Sequence, residues 1–173
     1  METIPTLGAG RVAVDEAGEG PPFDALDRLS AIAGAQTATS ELLDCDVVTL
    51  FLYEREADLM HGWGPDGEPT GSVPALNAGV VGRVFVTGVQ EIVDLALTEE
   101  DAARAPGLGG AHYACVAPIA ARRRLGVLVA TNEVEPFTER DLAILSVVAD
   151  RSALVLENLH LQAVVERQGQ QLD

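Results

Sequence analysis

The sequence predicts an α+β fold: an antiparallel sheet with helices packed on it. Three observations lead there. Val47–Tyr53 and Leu59–Trp63 are apolar runs of strand length separated by a short turn at Glu54–Asp58, the pattern of an antiparallel hairpin. Tyr113–Ala120 and Leu125–Thr131 repeat that pattern around the polar turn Arg122–Arg124. From Leu142 to Leu161 the chain has neither Gly nor Pro, so a long helix closes the domain.

In chain order, residues 1–22 are rich in Gly, Pro and acidic residues without a sustained period, and are expected to form a flexible tail. Phe23–Leu43 reads as a helix, with Asp24 near its cap and Leu26, Leu29, Ile32 and Ala33 at helical spacing. Asp44-Cys45-Asp46 ends it, and the β-branched and aromatic stretch Val47–Tyr53 reads as a buried strand. Gly64–Ala78 is dense in Gly and Pro and reads as a loop. Gly79–Gly88 has the composition of a strand, while its bracketing glycines and short apolar turns also permit a helix. Glu91–Asp94 is a short edge strand; Thr98–Asp101 caps a brief helix, and Pro106–Gly110 is a glycine-rich loop.

Leu125–Thr131 is continuously apolar, as in a central strand buried on both faces. Glu135 precedes Pro136 and stays extended. Thr138 is the expected N-cap of the last helix, Phe137 supplies the outer half of a hydrophobic staple, and Glu139 and Asp141 suit the positive end of the helix dipole. Leu142, Leu145, Ala149, Ser152, Leu156, Leu159 and Ala163 keep the spacing of a coiled-coil seam, and Ile144, Val148 and Val155 lie on a second face. Such a helix needs two partners, its own sheet and another helix. The expected organisation is a tail over 1–22, a domain over 23–161 and a helical extension over 162–173.

Length and composition bound the function classes. The 173 residues suffice for one domain with a substantial core, and an apolar share of 47% excludes a disordered chain. No apolar run reaches membrane-spanning length and no cleavable leader is visible, so a cytoplasmic protein without a membrane partner is expected. A net charge of −16 argues against direct nucleic-acid binding, which needs cationic surface. The only basic cluster, Arg122–Arg124, sits on a hairpin turn, where it more often keeps an edge soluble than binds phosphate. Cys45 and Cys115 have no CxxC spacing and read as buried free thiols.

Taken together, Gly79-Val80-Val81-Gly82 followed by Val86-Thr87-Gly88, then Glu91–Asp94, Val116–Ile119, Leu125–Leu128, Phe137–Asp141 and Leu156-Glu157-Asn158 resemble the GAF domain family of small-molecule sensing modules. The resemblance spans about Leu26 to Leu159. It implies a short helix over Gly82–Thr87, a six-stranded antiparallel sheet, the terminal helices on one face, and small helices and loops over a ligand pocket on the other. It also implies a sensory or regulatory role, with the last helix leading toward an output domain.

Each use of that family makes its own demand on the residues. Cyclic-nucleotide-binding members carry an Asn-Lys…Phe-x-x-x-Asp-Glu signature; Asn132, Phe137 and Asp141 match it, but Glu133 replaces the lysine and Leu142 the glutamate. Bilin attachment pairs a cysteine with a following histidine, whereas here His112 precedes Tyr113 and Cys115 lies inside a strand. A haem-binding member would use a loop histidine such as His112, or His61 on the second strand. Free methionine sulfoxide reductases need a thiolate and a resolving thiol, and Gly64–Gly110 contains no cysteine. No zinc-ligand spacing and no phosphate-binding loop are present, and no cofactor is named by the sequence.

The resulting expectation is a non-enzymatic sensor that dimerises through its terminal helices, with haem or cyclic-nucleotide sensing and a reductase-like enzyme as alternatives. Alternation along the first strand places Thr49, Phe51 and Tyr53 on one face and Val48, Leu50 and Leu52 on the other. The mixed set is the expected pocket set. With Trp63, His112 and Tyr113 it gives a candidate pocket of Phe51, Tyr53, Trp63, His112 and Tyr113 under a lid built from Gly64–Ala78 and Pro106–Gly110. The plain alternative is that these aromatics are core. The dimer is expected along Leu145, Ala149, Leu156 and Leu159.

Overall fold

The computed structural model describes residues 22–65, 67–75, 78–94, 108 and 111–172. Its elements are α1 (Pro22–Leu42), β1 (Val47–Glu54), β2 (Leu59–Trp63), β3 (Pro69–Pro74), α2 (Val80–Thr87), β4 (Glu91–Asp94), β5 (Tyr113–Ala120), β6 (Arg124–Asn132) and α3 (Glu139–Leu172). The strands form one antiparallel sheet in the order β3-β2-β1-β6-β5-β4. The α+β class and the six-stranded sheet hold. Its two central strands, β1 and β6, are joined in sequence by everything else in the sheet, so closing the sheet brings both ends of the domain to one place.

One expectation about the elements gives way. Gly64–Ala78 is not all loop: Pro69–Pro74 is a strand. Its two prolines are tolerated because β3 is an edge and pairs only with β2. The ambiguous stretch after it is the helix α2. Gly82 lies where α2 crosses the end of β3, and a Cβ there would meet the carbonyl oxygen of Ala75. The brief helix expected at Thr98–Asp101 lies outside the described residues, as do the tail over 1–21 and, apart from Leu108, the loop Pro106–Gly110.

The start of α3 forms as its sequence dictates. Asp141 N–H donates to Thr138 Oγ1 at 3.2 Å, while Thr138 N–H donates to Asp141 Oδ2 at 2.9 Å, a reciprocal cap. The sheet separates two cores. On one face Val48, Leu50, Cys115, Ala117, Leu128 and Ala130 pack against Ile32 and Ala35 of α1 and Leu142, Leu145 and Ala149 of α3. On the other face Phe51, Met60, Ala114, Val116, Val127 and Val129 pack beneath Val80, Val81, Val84 and Phe85 of α2.

Leu142, Leu145, Ala149, Ser152 and Leu156 are therefore buried within the protomer, and the seam expected between subunits is the seam against its own sheet and α1. Among the described residues, the exposed large apolar side chains of α3 are Val147, Leu154, Val155, Leu161 and Val165.

Candidate functional site

The second face of the sheet carries a core of its own, away from the terminal helices. Its floor comes from β1, β2, β5 and β6, and its cover from α2, with Ala75 and Ala78 on the approach to α2 and Leu108 ahead of β5. At one margin the rings of Tyr53 and Phe85 lie 4.5 Å apart at 40°, a tilted aromatic pair joining β1 to α2. Tyr53 Oη points away from the core and donates to Asp58 Oδ1 at 2.7 Å. That bond, followed by desolvation, raises the phenol pKa above its ordinary value. Asp58 itself holds φ at 57° in the β1–β2 turn, a conformation that Asp tolerates better than most residues.

The electrostatics of the face are plain. Among the described side chains no Asp, Glu, Arg or His is buried. The polar side chains of this face are neutral: Thr49 and Thr131 are buried opposite Val129 and Ala114, and Thr70 Oγ1 is sealed from solvent without a hydrogen-bond partner. It sits beside the Phe51 ring, in the space that a Cβ on Gly62 would occupy.

Of the five residues expected to line one pocket, the structure brings together Phe51 and Tyr53, and on the expected face. Trp63 and Tyr113 pack instead against the terminal-helix core. The reason is register. Trp63 stands opposite Leu50, so it shares the face of Leu50. Cys115 stands opposite Ala130, itself opposite Val48, so Cys115 and Tyr113 share the helix side. His112 is exposed; its main-chain N–H donates to Asn132 O at 3.0 Å and its ring meets Tyr113 edge-on, 6.5 Å between centroids. Thr70, Met60 and Phe85 complete the second face and were missed by sequence reasoning. Met60 was reachable from the alternation of β2; Thr70 lay in the stretch read as loop.

The other face carries two polar features. Gln36 is 3% exposed and donates to the carbonyls of Trp63 and Gly64, while Gln36 Oε1 and Trp63 Nε1 are buried without partners. Toward the sheet edge, His61 Nδ1 lies 2.6 Å from Ser72 Oγ and His61 Nε2 2.7 Å from Glu54 Oε1. With the carboxylate at Nε2, the neutral ring carries its proton there and accepts from the serine. These side chains are exposed rungs across β1, β2 and β3 that hold the edge strand in register.

The comparisons with known proteins agree with this architecture. The sequence profile described as GAF domain matches residues 32–157. The chain belongs to the GAF domain family. This GAF domain is similar in structure to the GAF domain of an Acinetobacter phosphoenolpyruvate-protein phosphotransferase, with TM-score 0.67 and 18% identity, covering 93% of this chain and 97% of that one. It is also similar to free methionine-R-sulfoxide reductase from Neisseria meningitidis, solved with its substrate, with TM-score 0.64, 20% identity, and coverage of 78% and 81%. The GAF-B domain of DevS from Mycobacterium smegmatis gives TM-score 0.61 and 20% identity, with coverage of 82% and 98%. A search of curated proteins finds no matching sequence. At these identities the likeness is one of fold.

None of the three histidines belongs to the second-face core. Asn132, the partial match to the cyclic-nucleotide signature, accepts from Asp46 N–H at 2.8 Å and donates to Asp44 O at 3.2 Å, so it ties β6 to the start of β1. Phe137 and Asp141 pack and cap α3. Both thiols face the terminal helices; burial first, then neighbouring carboxylates led by Asp46 and Asp141 respectively, push Cys45 up to about 11 and Cys115 to about 12. Among the described residues no group of His, Cys, Asp or Glu is placed to hold a metal, and no helix is long and apolar enough to cross a membrane.

Proposed function

We propose that this GAF domain is a non-enzymatic sensory module that binds a small molecule between the second face of its sheet and α2, and signals through α3 in a dimer. GAF domains occur in sensory signalling proteins, which supports the general role. The observation that carries the specific reading is the division of one sheet into two separate cores. One core is committed to the terminal helices and the other is closed by the short helix α2. A change beneath α2 therefore acts on the same strands that α1 and α3 grip from behind.

The dimer rests on α3. Val147, Leu154 and Leu161 recur every seven residues and are 58%, 65% and 41% exposed. That is the repeat of a helix-pairing seam, left uncovered in one protomer. At 34 residues α3 is about 50 Å long, and residues 162–172 continue it in the direction an output segment would take. The high thiol pKa values leave little thiolate at neutral pH, which supports a role other than sulfoxide reduction. The net charge of −16 and the absence of membrane-length helices among the described residues support a cytoplasmic site of action without direct nucleic-acid contact.

Native mass spectrometry of the purified chain tests the reading in one spectrum. The expected species is a dimer retaining a small molecule. A bare monomer at micromolar concentration contradicts it.

A further inference from the structure

We infer that the second-face site takes a neutral, mostly apolar molecule that pairs one polar atom with Thr70 Oγ1. The inference rests on the sensing reading above and narrows it to a ligand class.

Two observations carry it. The first is the lack of charge: among the described side chains no acidic or basic residue is buried, and the side chains around Phe51 are aliphatic or aromatic apart from the neutral hydroxyls of Thr49 and Thr70. A carboxylate or phosphate brought there would lose its water and meet no described counter-charge, a penalty that apolar contact does not offset. The second is Thr70. A sealed hydroxyl with no partner disfavours the empty state, and buried polar groups in folded proteins are otherwise nearly always paired.

The local fold explains how that hydroxyl comes to face inward. Register between β2 and β3 shifts at Gly62 and Trp63, and such an irregularity re-aims the side chain beside it. Gly62 has no Cβ, which leaves the hydroxyl its place next to the Phe51 ring. A hydroxyl both donates and accepts, so a partner atom of either kind suits it: a phenol, an alcohol or a ketone on an aromatic or aliphatic body satisfies the site.

The test uses the full chain with phenol as the neutral probe and benzoate as its anionic counterpart, read by methyl NMR at Val84, Val127 and Val129. Phenol is expected to shift these methyls. Thr70→Val, which removes the hydroxyl at nearly constant volume, should weaken phenol about threefold to tenfold, the loss of one hydrogen bond, and Thr70→Ser should restore it. Equal binding of benzoate at these methyls, or no effect of Thr70→Val, overturns the ligand class. If neither probe shifts the methyls, a molecule retained by the native protein decides what else falls. Removal of that molecule shifting the same methyls keeps the sensing site and rejects the ligand class. Removal without such a shift, or no retained molecule, rejects both.

Discussion

The side-chain amide of Gln36 donates to the main-chain carbonyl of Trp63 at 2.9 Å, fastening α1 to the last residue of β2. A second bond, to Gly64 O at 2.6 Å, fixes the first residue of the β2–β3 turn. The tie matters because the same end of β2 carries Gly62, against which Thr70 of β3 packs on the opposite face. Gln36→Leu removes two hydrogen bonds, although Gly64 O keeps its bond from Gly67 N–H, and should cost roughly 1–3 kcal/mol, at about 0.5–1.5 kcal/mol for each bond lost. Urea denaturation measures it; a loss below about 0.5 kcal/mol would show that the bonds contribute little.

Gly82 gives a second prediction. Because a Cβ would run into the main-chain oxygen of Ala75, neither partner can yield by changing rotamer. Gly82→Ala should destabilise by about 1–3 kcal/mol, as overpacking does, although alanine normally favours a helix over glycine. A stabilised variant in thermal unfolding would mean that α2 sits farther from β3 than described.

The thiols make stability depend on pH at the alkaline end. An unfolded cysteine ionises near about 8.5, whereas burial and nearby carboxylates hold Cys45 to about 11 and Cys115 to about 12. Between those limits the unfolded chain has released protons that the native state keeps, so stability is retained below about pH 8.5 and falls as pH rises toward the folded values. For buried Cys115 the limiting slope is about 1.4 kcal/mol per pH unit. Cys115→Ala should flatten the decline between pH 9 and 11 in denaturant titrations, and an unchanged slope would remove the thiol as its cause.

These residues also show what the sequence could tell. The hairpins, the long last helix and its Thr138 cap were legible because each is set by neighbours in the chain. Phe51 and Tyr53 were separable from Val48, Leu50 and Leu52 by alternation within one strand. Trp63 and Tyr113 were not, since which face of the sheet they share with Phe51 depends on pairing between strands, a long-range property. β3 escaped because Pro69-Thr70-Gly71-Ser72-Val73-Pro74 has one aliphatic residue, enough for an edge that pairs on one side. Periodicity on α3 identified residues that share a face but not what covers them, and the sheet and α1 took the seam expected for a partner.

The corrected seam yields the oligomer prediction. Val147→Glu with Leu154→Glu changes two exposed residues and should give a folded monomer in light scattering. Leu145→Glu places a carboxylate in the core and should unfold the chain. A wild-type monomer, or a double variant that stays dimeric, contradicts pairing along this face.

Hydrogen exchange on the purified protein, before and after any retained small molecule is stripped by unfolding and refolding, tests most directly whether the two faces of the sheet work as sensor and relay. Faster exchange after stripping is predicted at residues 80–87, which cover the second face, together with residues 162–172, which extend α3 away from it. Unchanged exchange at 80–87, with differences confined to other segments, would contradict binding beneath α2.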